Sequence, residues 1–238
     1  MRGRVTRIAA AAALLCAACA AACDGTPGPA IGEEVDGQYN LGPVEWEGSF
    51  WNSCAPYVSE VEGLEGELLA GLGLDYNGDG RLCDACILVR TAAGESATLR
   101  VVTTGTTNAP GDIDVSSAAY DLLDSGEYPR TMTWQLVECP DTGDILYQFQ
   151  TGANAWWTSF WVRDQKLPLE KVEVRSANHA DWFELRRGTD GTFNDDGGFG
   201  EGAFTLRLTA IDGETIEDAF DGFAAGDLLA SPTGQFPG

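Results

Sequence analysis

Gly111-Asp112-Ile113-Asp114-Val115-Ser116-Ser117-Ala118-Ala119-Tyr120 is the run that decides how the chain is read. Its first half alternates acidic and aliphatic residues, and its second half supplies a helix cap followed by helix formers. If the first half is extended, side chains two apart share one face, so Asp112 and Asp114 stand together on either side of Ile113. Carboxylates that close push one pKa upward, giving an acid able to hold a proton near neutral pH. That is half of what glycoside hydrolysis uses. The alternative is that Asp112 is solvated and Asp114 accepts backbone hydrogen bonds at the start of the following helix. Ser116 is placed to cap a helix over 116–123, with Ala118, Ala119, Leu122 and Leu123 on its buried side.

Outward from this unit, β-rich or alternating runs recur at 86–90, 97–103, 132–137, 145–150, 158–162, 169–174, 182–185 and 203–209. Short strands at such intervals predict an all-β barrel or sandwich. The 238 residues suit two small domains, and the turn-forming cluster Cys139-Pro140-Asp141-Thr142-Gly143 is the natural break between them. Residues 23–43 carry Pro27, Pro29, Pro43 and several glycines without periodicity, which reads as a flexible linker. Asp75-Tyr76-Asn77-Gly78-Asp79-Gly80 matches the first half of an EF-hand loop. Its twelfth position is Cys86 rather than glutamate, so a plain Asx and glycine turn is the better reading.

With 14 Lys and Arg against 37 Asp and Glu, the net charge is −23. A surface so acidic repels nucleic-acid phosphate and anionic lipid, so no nucleic-acid partner is expected. His179 is the single histidine, which argues against histidine-clustered metal sites and against Ser/His/Asp or Cys/His machinery. No metal or cofactor is expected, and nothing implies a protein partner. Arg2, Arg4 and Arg7 precede an apolar run over 8–22, the shape of a secretory signal and too short to span a bilayer. Residues 1–22 are therefore read as a signal peptide. The run ends at Cys23 after three alanines, which looks like a lipoprotein cleavage site with Cys23 as the lipidated residue; cleavage without lipidation is the alternative. Removing the signal takes the charge to −26 and leaves Cys54, Cys83, Cys86 and Cys139 beside Cys23. An even set in an exported chain reads as disulfides. The Cys83-x-x-Cys86 spacing is also that of a redox pair or half a zinc site, but no βα pattern follows it and no second such pair exists.

Trp156, Trp157 and Trp161 fall within six residues, in a segment that also holds Phe160. Strand alternation puts Trp156, Thr158 and Phe160 on one face and Trp157, Ser159 and Trp161 on the other, so at least one face is core. Adjacent tryptophans at a strand's start can nevertheless both reach the surface, where flat indoles stack on sugar rings.

From about residue 48 to the C-terminus these motifs together resemble the bacterial expansin-like proteins. Gly48-Ser49-Phe50-Trp51 looks like that family's opening Thr-x-Tyr segment, and Leu82-Cys83-Asp84-Ala85-Cys86-Ile87-Leu88-Val89 is similar to its Cys-Gly-x-Cys strand. Gly111 to Ser116, followed by Ala119-Tyr120, fits its Asp-Leu-Ser helix entry, and Trp134-Gln135-Leu136-Val137-Glu138-Cys139 fits its last barrel strand. The run 152–162 looks like its cellulose-stacking strand, while Leu206-Arg207-Leu208-Thr209 and Gln235-Phe236-Pro237 match a later strand and tail.

The resemblance implies a six-stranded double-psi β-barrel over 44–140 followed by an immunoglobulin-like β-sandwich over 141–238. It implies Asp114 as the essential acid and Ser49 as the hydroxyl beside it, with Asp112 standing in for a Thr-Asp pair that is missing around 101–104. It implies Trp156 and Trp157 as the planar cellulose contacts. Their third aromatic has no clear equivalent, and Phe193 or Phe199 is a candidate replacement if the glycine-rich loop bends suitably. It also implies the disulfides Cys54 with Cys83 and Cys86 with Cys139. The activity expected is non-hydrolytic loosening of cellulose or related β-glucan by an exported or envelope-anchored protein. Family 45 endoglucanases use the same barrel with a second carboxylate, yet 49–54 contains no acid to serve as base. A lytic transglycosylase working with one acid, and a carbohydrate adhesin with an inert barrel, are the alternatives.

Overall fold

A computed structural model describes residues 28–42, 44–45, 49–50, 53–54, 68–104, 109–140 and 143–237. The signal segment and Cys23 lie outside the described residues. The first half contains β1 (Val35–Leu41), β2 (Val44–Glu45), β3 (Ser49–Phe50), β4 (Leu69–Leu72), α1 (Leu74–Asn77), β5 (Cys86–Thr91), β6 (Ser96–Thr104), β7 (Ile113–Val115), α2 (Ser117–Leu123) and β8 (Thr131–Val137). The second half contains β9 (Leu146–Phe149), β10 (Thr158–Arg163), β11 (Leu169–Arg175), β12 (Phe183–Glu184), β13 (Arg186–Arg187), β14 (Phe193–Asp195), β15 (Phe204–Ala210), β16 (Thr215–Phe220) and β17 (Leu228–Ala230). The all-β reading holds.

Six strands close a barrel in the order β1-β7-β4-β6-β5-β8, with β8 returning to pair with β1. Alternation fills it: Ile87 and Val89, Leu99 and Val101, Ile113 and Val115, and Trp134 and Leu136 point inward and are fully buried. The linker expected over 23–43 therefore ends early, because Val35–Leu41 is a barrel strand. Tyr39 is 2% exposed and its hydroxyl donates to the Leu123 carbonyl at 2.9 Å. What hid the strand is Gly37, which reads as a linker glycine but is a packing requirement. A Cβ there would lie 2.1 Å from the Gly111 carbonyl oxygen, and one on Gly111, whose φ is +87°, would lie 2.1 Å from that of Asp36. Two backbones thus cross in contact, and the Trp134 indole N–H donates to the Gly111 carbonyl at 2.9 Å beneath the crossing.

Ser116 caps α2 as expected, accepting from Ala119 N, and its hydroxyl also accepts from Leu69 N on β4. The helix buries Ala119 and Leu123 only; Ala118 and Leu122 face outward, because the short helix touches the barrel along a narrow stripe. The segment resembling half an EF-hand is a turn wrapped around buried Asn77. Its Oδ1 accepts from Leu82 N at 2.8 Å and its Nδ2 reaches Thr104, while Asp79 pairs with Arg81. Both disulfides, Cys54 with Cys83 and Cys86 with Cys139, are formed.

The second half is a sandwich of a five-stranded sheet, β13-β14-β10-β9-β17, on a four-stranded one, β12-β11-β15-β16. Tyr147, Phe149, Phe160, Phe199 and Phe204 fill the space between them with Val172, Val174, Leu206 and Leu208. Among the described residues, barrel and sandwich are in direct contact. A Cβ on Gly80 would fall 2.5 Å from the Gly188 carbonyl oxygen, and one on Gly191 would fall 2.6 Å from the Cys83 Cβ. Beside these glycines four charges are buried together. Arg100 of the barrel bridges Asp84 at 3.2 Å and Asp164 of the sandwich at 3.3 Å, Arg163 approaches Asp84 at 3.7 Å, and Asp164 N donates to Asp84 at 2.7 Å. Two cations and two anions cancel, so desolvation is tolerated only while all four are present. Replacing Arg100 by Ala should lower the unfolding free energy in a urea titration by about 3–5 kcal/mol, since Asp84 and Asp164 are left with Arg163 as their one buried cation and a net negative charge stays uncompensated. Arg90→Ala, which removes only an exposed pair with Glu34, should cost less than about 1 kcal/mol.

Candidate functional site

Asp114 sits at the middle of β7, between two inward residues, so its carboxyl projects from the barrel's outer face. The register places Asn40 of β1 beside it on one side and Gly71 of β4 on the other, with Thr103 of β6 next beyond Gly71. These four positions form one row across the sheet. Because Gly71 has no side chain, the row has a gap, a trough between the Thr103 and Asp114 side chains, which stand two strand spacings or about 10 Å apart and are themselves buried. The Thr103 hydroxyl hydrogen-bonds that of Ser53 at 2.8 Å, which in turn accepts from Thr104 N at 3.0 Å. Asp114 is 9% exposed. Burial, and secondarily the charge of Asp112, raise its pKa to about 6. Asp112 has a different occupation: its Oδ1 accepts from Gln38 N at 2.8 Å, holding β1 against the crossing. The pair expected from the spacing is real, but one member fixes the backbone and the other faces the trough. The expectation that Asp114 serves the helix start does not apply, since Ser116 does that.

A second surface lies at the start of β10. Asn154 and Trp157 bridge each other through backbone hydrogen bonds, which leaves Ala155 and Trp156 as a two-residue loop, and the Asn154 side chain accepts from Trp156 N at 2.9 Å. The loop turns Trp156 away from the face that alternation assigns it. It is 66% exposed, whereas Thr158 and Phe160 of the same parity are buried. Trp157 is half-buried beside Gly152, so both adjacent indoles reach the surface. Trp161, on the same face as Trp157, is buried at the seam with the barrel and donates its indole N–H to the Asp190 carbonyl at 3.1 Å. It lines the seam with Cys54 and Val102, so the sandwich face runs directly into the barrel.

No protein-family model matches the chain. Expansin-like protein 6 of Dictyostelium discoideum is 26% identical over 159 residues, which is 63% of this chain and 54% of that protein. Expansin-YoaJ of Bacillus subtilis is 26% identical over 111 residues, 46% of this chain and 47% of that one. The chain thus spans about half the length of these relatives. In three dimensions it matches the crystal structure of apo Clavibacter michiganensis expansin with a TM-score of 0.73 at 14% identity, over 86% of this chain and 98% of that one. A mutant of the same expansin in complex with cellohexaose matches with a TM-score of 0.71. The chain is thus similar in sequence to expansin-like proteins and shares the fold of an expansin. These relatives are of the kind the motifs resemble, and the two-domain fold is as that resemblance implies.

The other expected site residues fare unevenly. Phe193 is not available as a third aromatic: it is 3% exposed, packs against Phe160 inside the sandwich, and is covered by the Arg187 guanidinium at 4.8 Å. Strand parity explains this, since Phe193 and Asp195 of β14 point inward and Asn194 points out. Phe199 is buried as well. Ser49 pairs through its backbone with Glu45 in the β2-β3 ribbon, outside the barrel order, and its side chain lies outside the described residues. The strand beside Asp114 is Val35–Leu41, and Asn40 occupies the neighbouring position. Asn40, Gly71, Thr103 and Ser53 were not foreseen. The signal for β1 was the period-two pattern Val35-x-Gly37-x-Tyr39, masked by its polar intervening residues.

The raised Asp114 pKa carries a consequence for stability. The folded state holds this proton up to about pH 6, whereas an unfolded aspartate releases it near pH 3.9, so this group's contribution is full below about pH 4 and is lost as pH rises through 6. Scanning calorimetry of wild type and Asp114→Asn should give matching midpoints at pH 4 and a higher midpoint for the variant at pH 7.5.

Proposed function

We propose that the chain binds cellulose or a closely related β-glucan on Trp156 and Trp157, and loosens it at the Asp114 trough without breaking glycosidic bonds. Glucan rings present flat C–H faces that stack on indoles, and two adjacent indoles, Trp156 exposed and Trp157 half-buried, offer that contact at little conformational cost. The complex of the structurally similar Clavibacter protein with cellohexaose supports the ligand class.

The observation that carries the non-hydrolytic reading is the neutrality of the row around Asp114. Asn40, Gly71 and Thr103 occupy the positions at its side and across the trough, and none is a carboxylate. An inverting hydrolase places a base about 6.5–9.5 Å from its acid, on the far side of the sugar. Asp112, just before β7 and two residues from Asp114, is committed to Gln38 N. What the trough offers instead is hydrogen bonding: Asp114, protonated or charged near pH 6, and Asn40, together with the Ser53 and Thr103 hydroxyls beyond Gly71. Such groups would exchange a glucan chain's hydrogen bonds to its neighbours for bonds to protein. Export through 1–22, with Cys23 as a lipid anchor, belongs to the same reading and is supported by the basic start and the apolar run.

Pulldown on microcrystalline cellulose at moderate salt tests the division of labour. The Trp156→Ala, Trp157→Ala double variant should lose at least about tenfold in retention, as expected for removing two stacking rings. Asp114→Asn should be retained like wild type. Equal retention of the double variant would remove the assigned role of the indoles.

A further inference from the structure

His179, the single histidine, lies in neither surface, yet it is tied to the loop that carries Trp156. The 176–179 turn joins β11 to β12 on the four-stranded sheet and is closed by reciprocal backbone bonds between Ser176 and His179. From this turn His179 Nε2 donates to Asp195 Oδ2 at 2.7 Å, while the imidazole stacks on Phe183 at 4.1 Å with the planes 7° apart. The other oxygen of Asp195 accepts from Gly197 N at 2.9 Å, and its carbonyl accepts from Gly198 N, shaping the 195–198 turn. Asn178 adds two bonds to that turn, donating to the carbonyls of Gly197 at 3.3 Å and Gly198 at 2.8 Å.

The 195–198 turn is seated directly on the indole loop. Gly198, with φ +69°, approaches so closely that a Cβ would stand 2.3 Å from the Ala155 carbonyl oxygen and 2.6 Å from the Trp156 carbonyl carbon. Two residues on, Gly200 N donates to the Ala155 carbonyl at 2.8 Å, and Phe199 N donates to Thr158 Oγ1, which itself donates to the Asn154 carbonyl. A two-residue loop bearing an exposed indole has few contacts of its own, and its backbone here is fixed from behind by this turn. We propose that His179, acting through Asp195 and with Asn178 beside it, is a positioning residue that holds the 195–198 turn against Ala155-Trp156 and thereby sets the orientation of the Trp156 indole for stacking on glucan. The inference rests on the proposed role of Trp156 and extends it to a residue on the opposite sheet.

The test is retention on microcrystalline cellulose with thermal midpoints measured in parallel. His179→Phe keeps the stack on Phe183 and removes the N–H to Asp195; it should weaken retention about five- to tenfold, the effect of losing part of one charge-assisted hydrogen bond. His179→Gln, which retains an N–H donor, should restore most of the binding. Asn178→Ala, which leaves the imidazole intact, should weaken it in the same direction. In a Trp156→Ala background His179→Phe should have no further effect, because its influence passes through that ring. Wild-type retention by His179→Phe, or an equal loss in the Trp156→Ala background, overturns the proposal. If Trp156→Ala itself is retained like wild type, the reading of the surface fails, and the positioning role fails with it.

Discussion

Asp84, Arg100, Arg163 and Asp164 are held together out of water, two from the barrel and two from the sandwich, and this cluster makes one body of two domains. Each charge would be expensive to bury alone, and each is tolerated because an opposite charge lies within 4 Å. The cost of breaking any pair means the seam does not open cheaply. Gly80 and Gly191 let the backbones approach closely enough for the cluster to form, and the Cys54–Cys83 disulfide gives Gly191 a fixed surface to rest on. Trp161, on the sandwich face that begins with Trp157, is thereby packed against the barrel. The face that begins with Trp157 thus runs up to the barrel.

The barrel's share of the site follows from sterics and desolvation acting on the same few residues. The contact between Gly37 and the Gly111 backbone brings β1 beside β7, and the Asp112 carboxylate secures it through Gln38 N. With Asp112 so engaged and the neighbouring positions neutral, Asp114 is left half-desolvated beside a like charge, and its pKa rises to about 6. Acidity near neutral pH is thus a by-product of how the strand is packed.

Much of this was legible in the residues. The Asp112-Ile113-Asp114 alternation and the Ser116 cap gave the strand-to-helix unit and the paired carboxylates, and the spaced β runs gave an all-β chain of two domains. The disulfide pairing came only from the resemblance, since four cysteines allow three pairings. What was missed was non-local. Val35–Leu41 looked like linker because its glycine and polar residues carry no burial signal until Gly111, more than 70 residues away, is laid against Gly37. Phe193 looked available because composition cannot reveal strand parity across a glycine-rich loop. Trp156 broke the alternation rule because it lies in a turn, and the Gly198 and Gly200 contacts that fix the turn are visible only in three dimensions. The row Asn40, Asp114, Gly71, Thr103 joins four strands, and no sequence spacing encodes it.

The central proposal is that Asp114 loosens glucan without cutting it. It is tested most directly by loading cellulose paper strips in tension at pH 5 with wild type or Asp114→Asn while soluble reducing ends are measured in the same bath. The account predicts that strips weaken with wild type and hold with the variant, and that reducing ends stay at the buffer level in both. Reducing ends that accumulate with wild type and not with Asp114→Asn would contradict it.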